Sequence, residues 1–221
     1  MHLLVDGEYV ATTNVEYWLS TGIKNGTDLT EEELSDLLEQ VAYRRMYDKA
    51  LTLLSARDYS KKDLSEKLVR KALEKERLNS RDFGVTDASF SEVVLNSQKA
   101  DYNSLKDSAN RICDRLEELG LLDDERYART YAGELLRNKH MSARGIRQQL
   151  AMKGIAHDIA EVVVEELELD PVENILELLQ TKYRTRDLTD DKQRRRTIAA
   201  LARLGYSQSD IYSALEQNKT T

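Results

Sequence analysis

One type of helix ending occurs three times in this chain, and it constrains the fold more than any other feature. Each copy has a Leu, three further residues, a Gly and an apolar residue: Leu116–Gly120–Leu121, Leu150–Gly154–Ile155 and Leu201–Gly205–Tyr206. A glycine just after a helix adopts the left-handed conformation that lets the next amides bond back to the last carbonyls, and the residue after it packs on the Leu. The last two copies lie 51 residues apart and share Leu-Ala-x-x-Gly. The pattern predicts a repeated helical unit, which favours a protein that presents a surface over an enzyme with a pocket.

The predicted helix starts are equally regular. An N-cap side chain satisfies a free backbone N–H, and the residue before it often packs on the residue four after it. Five segments fit this pattern: Leu29-Thr30…Leu34, Tyr59-Ser60…Leu64, Leu122-Asp123…Tyr127, Met141-Ser142…Ile146 and Tyr206-Ser207…Ile211. Three of them add an acid three residues after the cap, at Glu33, Asp63 and Asp210. A sixth start is Asp170-Pro171, with proline at the first helical position.

Composition supports helical units that share small cores. Of the 221 residues, 33% are charged and only 6% are aromatic, and one proline and nine glycines favour helices over a turn-rich β fold. The lone Cys113 excludes an intramolecular disulfide and a cysteine-based zinc site, and we interpret it as a small apolar residue on a helix face. Without a long apolar run or a secretory signal pattern, we expect a soluble, cytoplasmic protein that does not bind membranes.

Charge is strongly segregated, although the formal net charge is only −7. Residues 137–153 carry five bases and no acid, residues 158–177 carry eight acids and no base, and residues 182–203 carry eight bases against three acids. In a folded helical array such blocks become faces or stripes. Each block alone is equally compatible with a solvated helix surface, but two basic blocks at corresponding places in adjacent repeats favour a binding surface.

The first 44 residues predict a β-hairpin followed by a long helix. Leu3-Leu4-Val5 and Glu8-Tyr9-Val10 flank Asp6-Gly7, which supplies the positive φ angles of a two-residue turn. A lone hairpin is only marginally stable, so we expect it to pack on Tyr17 or Trp18. Gly22 and Gly26 interrupt the chain before the long helix.

The remaining residues predict three repeats of three helices. Repeat 1 spans 45–121, with helices near 45–57, 61–78 and 105–119 and an insert near 74–105. Residues 79–104 are compatible with a mobile loop or with a helical extension, and Phe90, Val93 and Val94 allow one short helix there, so we expect partial order. Repeat 2 spans 122–169, with helices near 123–139, 142–153 and 157–168. Repeat 3 spans 170–221, with helices near 171–184, 190–204 and 207–218. Aligning repeats 2 and 3 on the shared glycine places Leu150 beside Leu201 and Ile155 beside Tyr206.

Three of these segments resemble motifs of the RecX family of RecA regulators. Residues 119–128, Leu-Gly-Leu-Leu-Asp-Asp-Glu-Arg-Tyr-Ala, resemble the family's "gylDDerfA" signature. Residues 145–155 resemble its run that begins with Gly and ends with L-x-x-K-G-I. Residues 201–211 are similar to its closing "L-x-x-x-G-[FY]-x-x-x-x-I" segment. The start of the chain is similar to the longer RecX proteins of Gram-positive bacteria, although the insert departs from the family pattern.

The resemblance implies both a fold and a function. The implied fold is all-α, with three tandem three-helix repeats in an elongated, curved array that follows a small N-terminal β-hairpin and a long helix. RecX proteins bind in the groove of RecA–single-stranded DNA filaments and inhibit strand exchange, ATP hydrolysis and SOS coprotease activity, or promote disassembly. We therefore expect a monomeric, non-enzymatic modulator of DNA repair and recombination, whose partner is the RecA filament, with at most weak direct binding to DNA.

The basic side chains of repeats 2 and 3 are the predicted partner-binding or nucleic-acid-binding residues, because arginine pairs well with carboxylates and phosphates. They are Arg137, Lys139, Arg144, Arg147, Lys153, Lys182, Arg184, Arg194, Arg195, Arg196 and Arg203. Consecutive helical residues point about 100° apart, so at most two of the three adjacent arginines should contact one partner. We predict no catalytic residue, cofactor or metal site. Asp123-Asp124 is interpreted as a helix cap, and His2, His140 and His157 as surface residues.

Three alternatives remain open. Residues 142–168 have the size of a DNA-binding helix-turn-helix, but their second helix carries four acids, which would repel phosphates. A helical scaffold without a role in recombination is the second alternative. An enzyme is the third, although the sequence shows no nucleophile–base pair, phosphate loop or metal-ligand set.

Overall fold

The chain folds almost entirely into helices. The computed structural model describes residues 1–82 and 91–220. Within them the elements are β1 (His2–Val5), β2 (Glu8–Thr12), α1 (Val15–Thr21), α2 (Glu31–Leu54), α3 (Lys61–Asp82), α4 (Ser91–Glu118), α5 (Asp124–Lys139), α6 (Ala143–Met152), α7 (His157–Glu165), α8 (Pro171–Gln180), α9 (Asp191–Arg203) and α10 (Gln208–Thr220). This arrangement confirms the all-α prediction with its small N-terminal hairpin. None of the helices in the described ranges combines the length and apolarity needed to cross a bilayer.

Backbone contacts divide the chain into two compact units. The first contains Met1–Asp58 and Leu64–Leu122, and the second contains Tyr59–Asp63 and Asp123–Thr221. The second unit therefore joins the predicted repeats 2 and 3 with five residues that precede and begin α3. The division into four domains stays a prediction.

In the first unit, the predicted hairpin and its support are both present. Asp6 and Gly7 have φ angles of 50° and 86°, as the two-residue turn requires, and β1 pairs antiparallel with β2. The buried Leu3 belongs to a core cluster to which Tyr17 and Trp18 contribute as partly buried residues. The hairpin is therefore stabilised by packing on the helices that follow it.

Helix α2 is a single helix through residue 54. Its N-terminus is a complete capping box, in which Thr30 Oγ1 accepts from the Glu33 amide and Glu33 Oε2 accepts from the Thr30 amide. Residues 31–54 contain neither glycine nor proline, so nothing breaks the helix at the predicted boundary after residue 44.

The helices at the end of repeat 1 are longer than predicted, and they agree with the helical extension that the insert allowed. Helix α3 continues to residue 82, and α4 begins at Ser91, well before the predicted residue 105. Residues 91–118 are polar but contain neither glycine nor proline, so the polar composition did not indicate a break. Phe90 lies outside the described residues. At the other end of α4, Ile112, Cys113 and Leu116 are fully buried, so Cys113 has the core position that we expected.

The second unit contains two core clusters, one for each predicted repeat. The first gathers residues of α5, α6 and α7 around Ile146 and Leu150, which are fully buried. The second gathers residues of α8, α9 and α10 around Ile175 and Leu201, also fully buried. Leu204 is partly buried against both clusters, so the turn after α9 belongs to the packing of both repeats.

All three predicted helix endings have the expected glycine geometry. Gly120, Gly154 and Gly205 have φ angles of 68°, 79° and 94°. In each ending the next amide donates to the carbonyl of the predicted Leu, over 2.9 Å at Leu121, 3.1 Å at Ile155 and 3.4 Å at Tyr206. The predicted packing of the apolar residue is wrong in the first copy, because Leu121 is 46% exposed and Leu122, which is 3% exposed, is buried instead.

The six predicted N-caps are confirmed. Each side-chain oxygen accepts an amide hydrogen bond from the first turn of its helix. The caps are Thr30, Ser60, Asp123, Ser142, Asp170 and Ser207.

A candidate partner-binding surface

The C-terminus of α9 docks on the N-terminus of α6. The Leu204 carbonyl accepts from the Ser142 amide at 3.0 Å and from Ser142 Oγ at 3.3 Å. Close by, the Tyr206 hydroxyl donates to the His140 carbonyl at 2.9 Å, and burial raises the pKa of this phenol to about 12. The contact joins the negative end of one helix to the positive end of another, so the two helix dipoles stabilise it.

Two glycines make this approach possible. A Cβ atom on Gly205 would lie 2.6 Å from both the Gly145 amide nitrogen and Ser142 Oγ, and a Cβ atom on Gly145 would collide with the Leu204 carbonyl oxygen. The sequence identified Gly205 as a helix stop. It did not indicate that Gly145, in the first turn of a helix, is needed for a contact 60 residues away.

The same contact occurs a second time within this unit. Ser60 Oγ donates to the Lys153 carbonyl at 2.8 Å, and Lys62 Nζ donates to the Met152 carbonyl at 3.1 Å. Lys153 is the C-cap of α6 as Leu204 is the C-cap of α9, and Ser60 is an N-cap as Ser142 is. One docking geometry, which we call the serine junction, therefore links the end of one helix to the start of another at both places.

Two of the predicted binding residues have structural partners. Arg147 pairs with Glu161 of α7 at 2.8 Å. Lys153 Nζ pairs with Asp63 at 2.7 Å, and this hydrogen bond raises the pKa of the lysine. Arg194 is half-buried on the side of α9 that carries the core residues. These three side chains are less available to a partner than their sequence positions indicated.

The other eight predicted residues are exposed, and in the part of the chain that the structure describes none of them forms an ion pair. They are Arg137, Lys139, Arg144, Lys182, Arg184, Arg195, Arg196 and Arg203. Lys182 Nζ lies 5.9 Å from the centre of the Tyr183 ring. The neighbouring Arg186, which we did not select, donates to Thr197 Oγ1 at 3.0 Å and lies over the same ring, so it belongs to the core of its repeat.

The Leu204–Ser142 junction brings the two basic blocks together. Arg203 precedes Leu204, and Arg144 precedes Gly145. Because Gly205 contacts Gly145 directly, the Cα atoms of Arg203 and Arg144 lie within roughly 14 Å of each other. Arg137 and Lys139 occupy the last turn of α5, just before Ser142. We call Arg137, Lys139, Arg144 and Arg203 the junction cluster.

Arg144 lies between the ends of two helices. It is in the first turn of α6, where the helix dipole favours acids, and beside the C-terminus of α9, where the dipole favours cations. In the described residues its side chain forms no ion pair.

A basic stripe extends from the junction cluster along α9. At about 100° per residue, Lys192, Arg195, Arg196 and Arg203 fall within roughly 100° of one another around the helix, opposite the buried Thr197 and Leu201. All four are exposed, and we call them the α9 stripe. Lys192 was missed in the sequence analysis, although a helical projection of residues 191–203 would have found it.

Two of the three acids near the stripe are engaged locally, and the third, Asp191, is exposed in the first turn of α9. Asp187 accepts from the Thr189 hydroxyl at 2.6 Å and from its amide at 2.9 Å, and these bonds lower the pKa of the Asp187 carboxyl. Asp190 caps α9 by accepting from the Gln193 amide at 2.8 Å. Neither carboxylate is therefore paired with a cation of the stripe.

The acidic block lies mainly on exposed positions of α7 and the segment that follows it. Asp158, Glu165 and Glu166 are exposed, and Glu166 forms a two-point ion pair with Arg129 at 2.9 and 3.1 Å that lowers the pKa of the glutamate. If residues 142–168 were a DNA-binding helix-turn-helix, the acidic side chains of α7 would lie against the DNA.

The residues that could suggest catalysis have structural roles. Asp123 caps α5, and Asp124 Oδ1 accepts from the Lys61 amide at 2.8 Å. Among the described residues no group of three or more His, Cys, Asp or Glu is placed to hold a metal ion. A cavity of about 490 Å³ beneath the hairpin is lined mainly by apolar residues and contains no His, Cys or Ser.

The fold and the basic surface define the class of protein: an α-helical repeat protein that presents segregated charge. Two family models match the chain, the second three-helix domain of RecX at residues 123–163 and the third at residues 168–215. The regulatory protein RecX of Mycobacterium ulcerans is 33% identical over 128 residues, which cover 57% of this chain and 74% of that protein. The chain belongs to the RecX family of regulatory proteins, as its motifs predicted.

More distant relatives extend the similarity along the chain. The regulatory protein RecX of Caldanaerobacter subterraneus is 24% identical over 187 residues, covering 82% of this chain and 79% of that protein. The crystal structure of a regulatory protein RecX matches 97% of this chain and 92% of its own, with a TM-score of 0.59 and 17% identity. The crystal structure of RecX from Lactobacillus salivarius matches 81% of this chain and 98% of its own, with a TM-score of 0.51 and 20% identity. These structures share the fold.

Proposed function

We propose that this protein is a non-enzymatic modulator of RecA recombinase that acts mainly as an inhibitor. It binds as a monomer in the groove of RecA–single-stranded DNA filaments, in the cytoplasm, and thereby affects recombination, ATP hydrolysis and SOS coprotease activity. The observation that carries the proposal is membership of the RecX family, whose models cover α5–α7 and α8–α10.

The junction cluster and the α9 stripe support a role in binding. Together they supply seven exposed cations, and Arg203 belongs to both. Arginine side chains pair with carboxylates or phosphates through two parallel hydrogen bonds, which suits a filament that offers both. A protein that binds one state of the filament more tightly than another shifts the filament toward that state, and this is sufficient for inhibition without catalysis.

ATP hydrolysis by RecA on single-stranded DNA tests the proposal directly. We expect the full chain to slow hydrolysis at substoichiometric or near-equal amounts relative to RecA. The purified chain without RecA is the control for any hydrolysis of its own. An unchanged rate of hydrolysis at saturating protein would exclude the proposed function.

A duplex-binding regulator is the alternative that a binding comparison separates. At about 150 mM salt, close to physiological ionic strength, a filament modulator prefers RecA-coated single strands to bare duplex DNA. A transcriptional regulator of the helix-turn-helix type prefers a specific duplex. The exposed acids of α7 support the first outcome, because they would lie against phosphates in the second.

A further inference from the structure

We propose that the junction cluster and the α9 stripe bind the sugar–phosphate backbone of a single nucleic-acid strand without reading its bases. This binding deepens the proposed function. It rests on that function in one respect only, which is that the strand lies in the RecA filament. The exposed cations available to the strand are Arg137, Lys139, Arg144, Lys192, Arg195, Arg196 and Arg203. Arg137 and Lys139 lie about 200° apart around α5, so at most one of them faces the strand. The basic surface is thereby assigned to phosphates, while other parts of the chain contact protein.

The strong excess of positive charge on the surface favours a polyphosphate over a protein. Protein surfaces mix acids and bases, whereas a nucleic-acid strand offers one negative charge at every nucleotide. Residues 137–153 contain no acid. At the start of α9 the Asp190 carboxylate is used as a helix cap, and Asp191 is an exposed acid beside Lys192. Seven cations with no ion pair in the described residues match a ligand of continuous negative charge.

The dimensions of the stripe suit a strand. Lys192 and Arg203 are eleven residues apart on a straight helix, which separates their backbones by about 16 Å at a rise of about 1.5 Å per residue. A strand has a phosphate about every 3.4 Å along a B-form axis, and at wider spacing when extended. Ala199 and Ala202 are exposed beside the arginines, so the helix backbone can approach the strand closely.

The surface lacks what base recognition requires. Proteins that bind exposed bases stack them on aromatic rings. Tyr183 and Tyr206 flank α9 in sequence, but each is only 5% exposed, and their rings are part of the core of repeat 3. Without an available ring, binding depends on phosphates and is independent of base sequence.

The acidic block limits this binding to one surface. Exposed carboxylates on α7, together with a net charge of −7, repel nucleic acid from the rest of the chain. We therefore expect binding to a bare strand to be weak and strongly dependent on salt.

Fluorescence anisotropy with a short labelled oligo(dT) tests the proposal on the full chain. Each phosphate contact on a single strand contributes about −0.7 to the slope of log K against log salt, so about four contacts give a slope near −3 between about 50 and 200 mM salt. Changing Arg195 and Arg196 to Ala should make the slope shallower by about 1.4. The matched control K49A/R70A removes two exposed cations from α2 and α3 and should leave the slope unchanged.

The outcomes separate this inference from the proposed function. Equal affinity for oligo(dT) and mixed-sequence strands supports backbone binding, and strong base preference contradicts it. If R195A/R196A weakens binding to RecA-coated strands but leaves the oligo(dT) slope unchanged, the surface binds protein carboxylates and the inference is wrong. If the wild-type chain has the expected slope but does not slow RecA, the inference stands and the proposed function is wrong. Absence of oligo(dT) binding at low salt also overturns the inference.

Discussion

Glycines in this chain differ in what surrounds them, although their backbone angles are similar. Gly120 and Gly205 both have positive φ and both end a helix. No atom outside the immediate neighbourhood would come within 4 Å of a Cβ on Gly120, whereas a Cβ on Gly205 would collide with the start of α6. The sequence identifies both conformations, because the helix-ending signal is local. It cannot identify the collision, because the atoms concerned are 60 residues away.

Gly205→Ala should therefore destabilise the protein more than Gly120→Ala. The left-handed conformation costs any residue with a Cβ about 1–2 kcal/mol, and overpacking at Gly205 adds about 1–3 kcal/mol. Urea unfolding followed by circular dichroism measures the difference in unfolding free energy. Equal losses of unfolding free energy in the two variants would show that the collision of the added methyl group with Gly145 and Ser142 does not destabilise the protein.

The ion pair between Lys153 and Asp63 predicts a dependence of stability on high pH. The hydrogen bond from Lys153 to Asp63 raises the pKa of the lysine above its unfolded value of about 10.4. The stabilisation is therefore complete below that unfolded pKa and is lost as pH rises through the folded pKa. The difference in unfolding free energy between wild type and Lys153→Met should shrink from pH 8 to pH 11. A constant difference would contradict this assignment.

Among the elements, the starts of α3 and α6 form contacts with the ends of helices that lie far away in the sequence. Local signals predicted the caps Ser60 and Ser142 and the stops at Gly154 and Gly205, and the structure has all four. The sequence could not predict that these caps also bond to a C-cap carbonyl of another helix, because a capping pattern describes only the helix that it begins. The start of α4 was left open because a segment rich in Ser, Asn, Asp and Lys is compatible with a loop or with a helix.

The two junction serines should contribute more stability than ordinary caps. Ser142→Ala and Ser60→Ala each remove a cap, worth about 1 kcal/mol, and also a buried hydrogen bond worth about 1 kcal/mol more. Thr30→Ala and Ser207→Ala are the matched controls, because their caps serve only their own helices and are exposed. Unfolding free energies from urea titrations distinguish the two groups. Losses no larger than those of the controls would mean that the junction bond has no net effect.

For the whole molecule, the location of charge matters more than its sum. The sequence predicted both basic blocks and their separation by an acidic one, and eight of the eleven basic residues that it selected are exposed and form no ion pair in the described part. It could not predict that Arg203 and Arg144 come together, because that depends on the bond between Leu204 and Ser142, 62 residues apart. Nor could it identify the pairs that occupy Arg147 and Lys153.

Two charge reversals of equal size should therefore differ in effect. R144E/R203E and K49E/R70E each lower the formal net charge by four, from −7 to −11. Only the first alters the junction cluster, so we expect it to weaken binding to RecA-coated single strands about tenfold or more, while the second stays near wild type. Arg147 is not used, because a glutamate there would face Glu161 and disturb α6. Equal weakening by both variants would mean that general repulsion, and not a defined surface, controls binding.

The serine junction is a contact that the chain uses twice and that could be repeated. Ser60 receives the end of α6, and Ser142 receives the end of α9, through the same donor and acceptor. A duplicate of residues 123–169 inserted after the original would carry its own serine and its own terminal glycine, and would thus fit between its neighbours at both ends. Such an insertion would add one more hydrogen bond of the same kind, from a serine hydroxyl to a C-cap carbonyl.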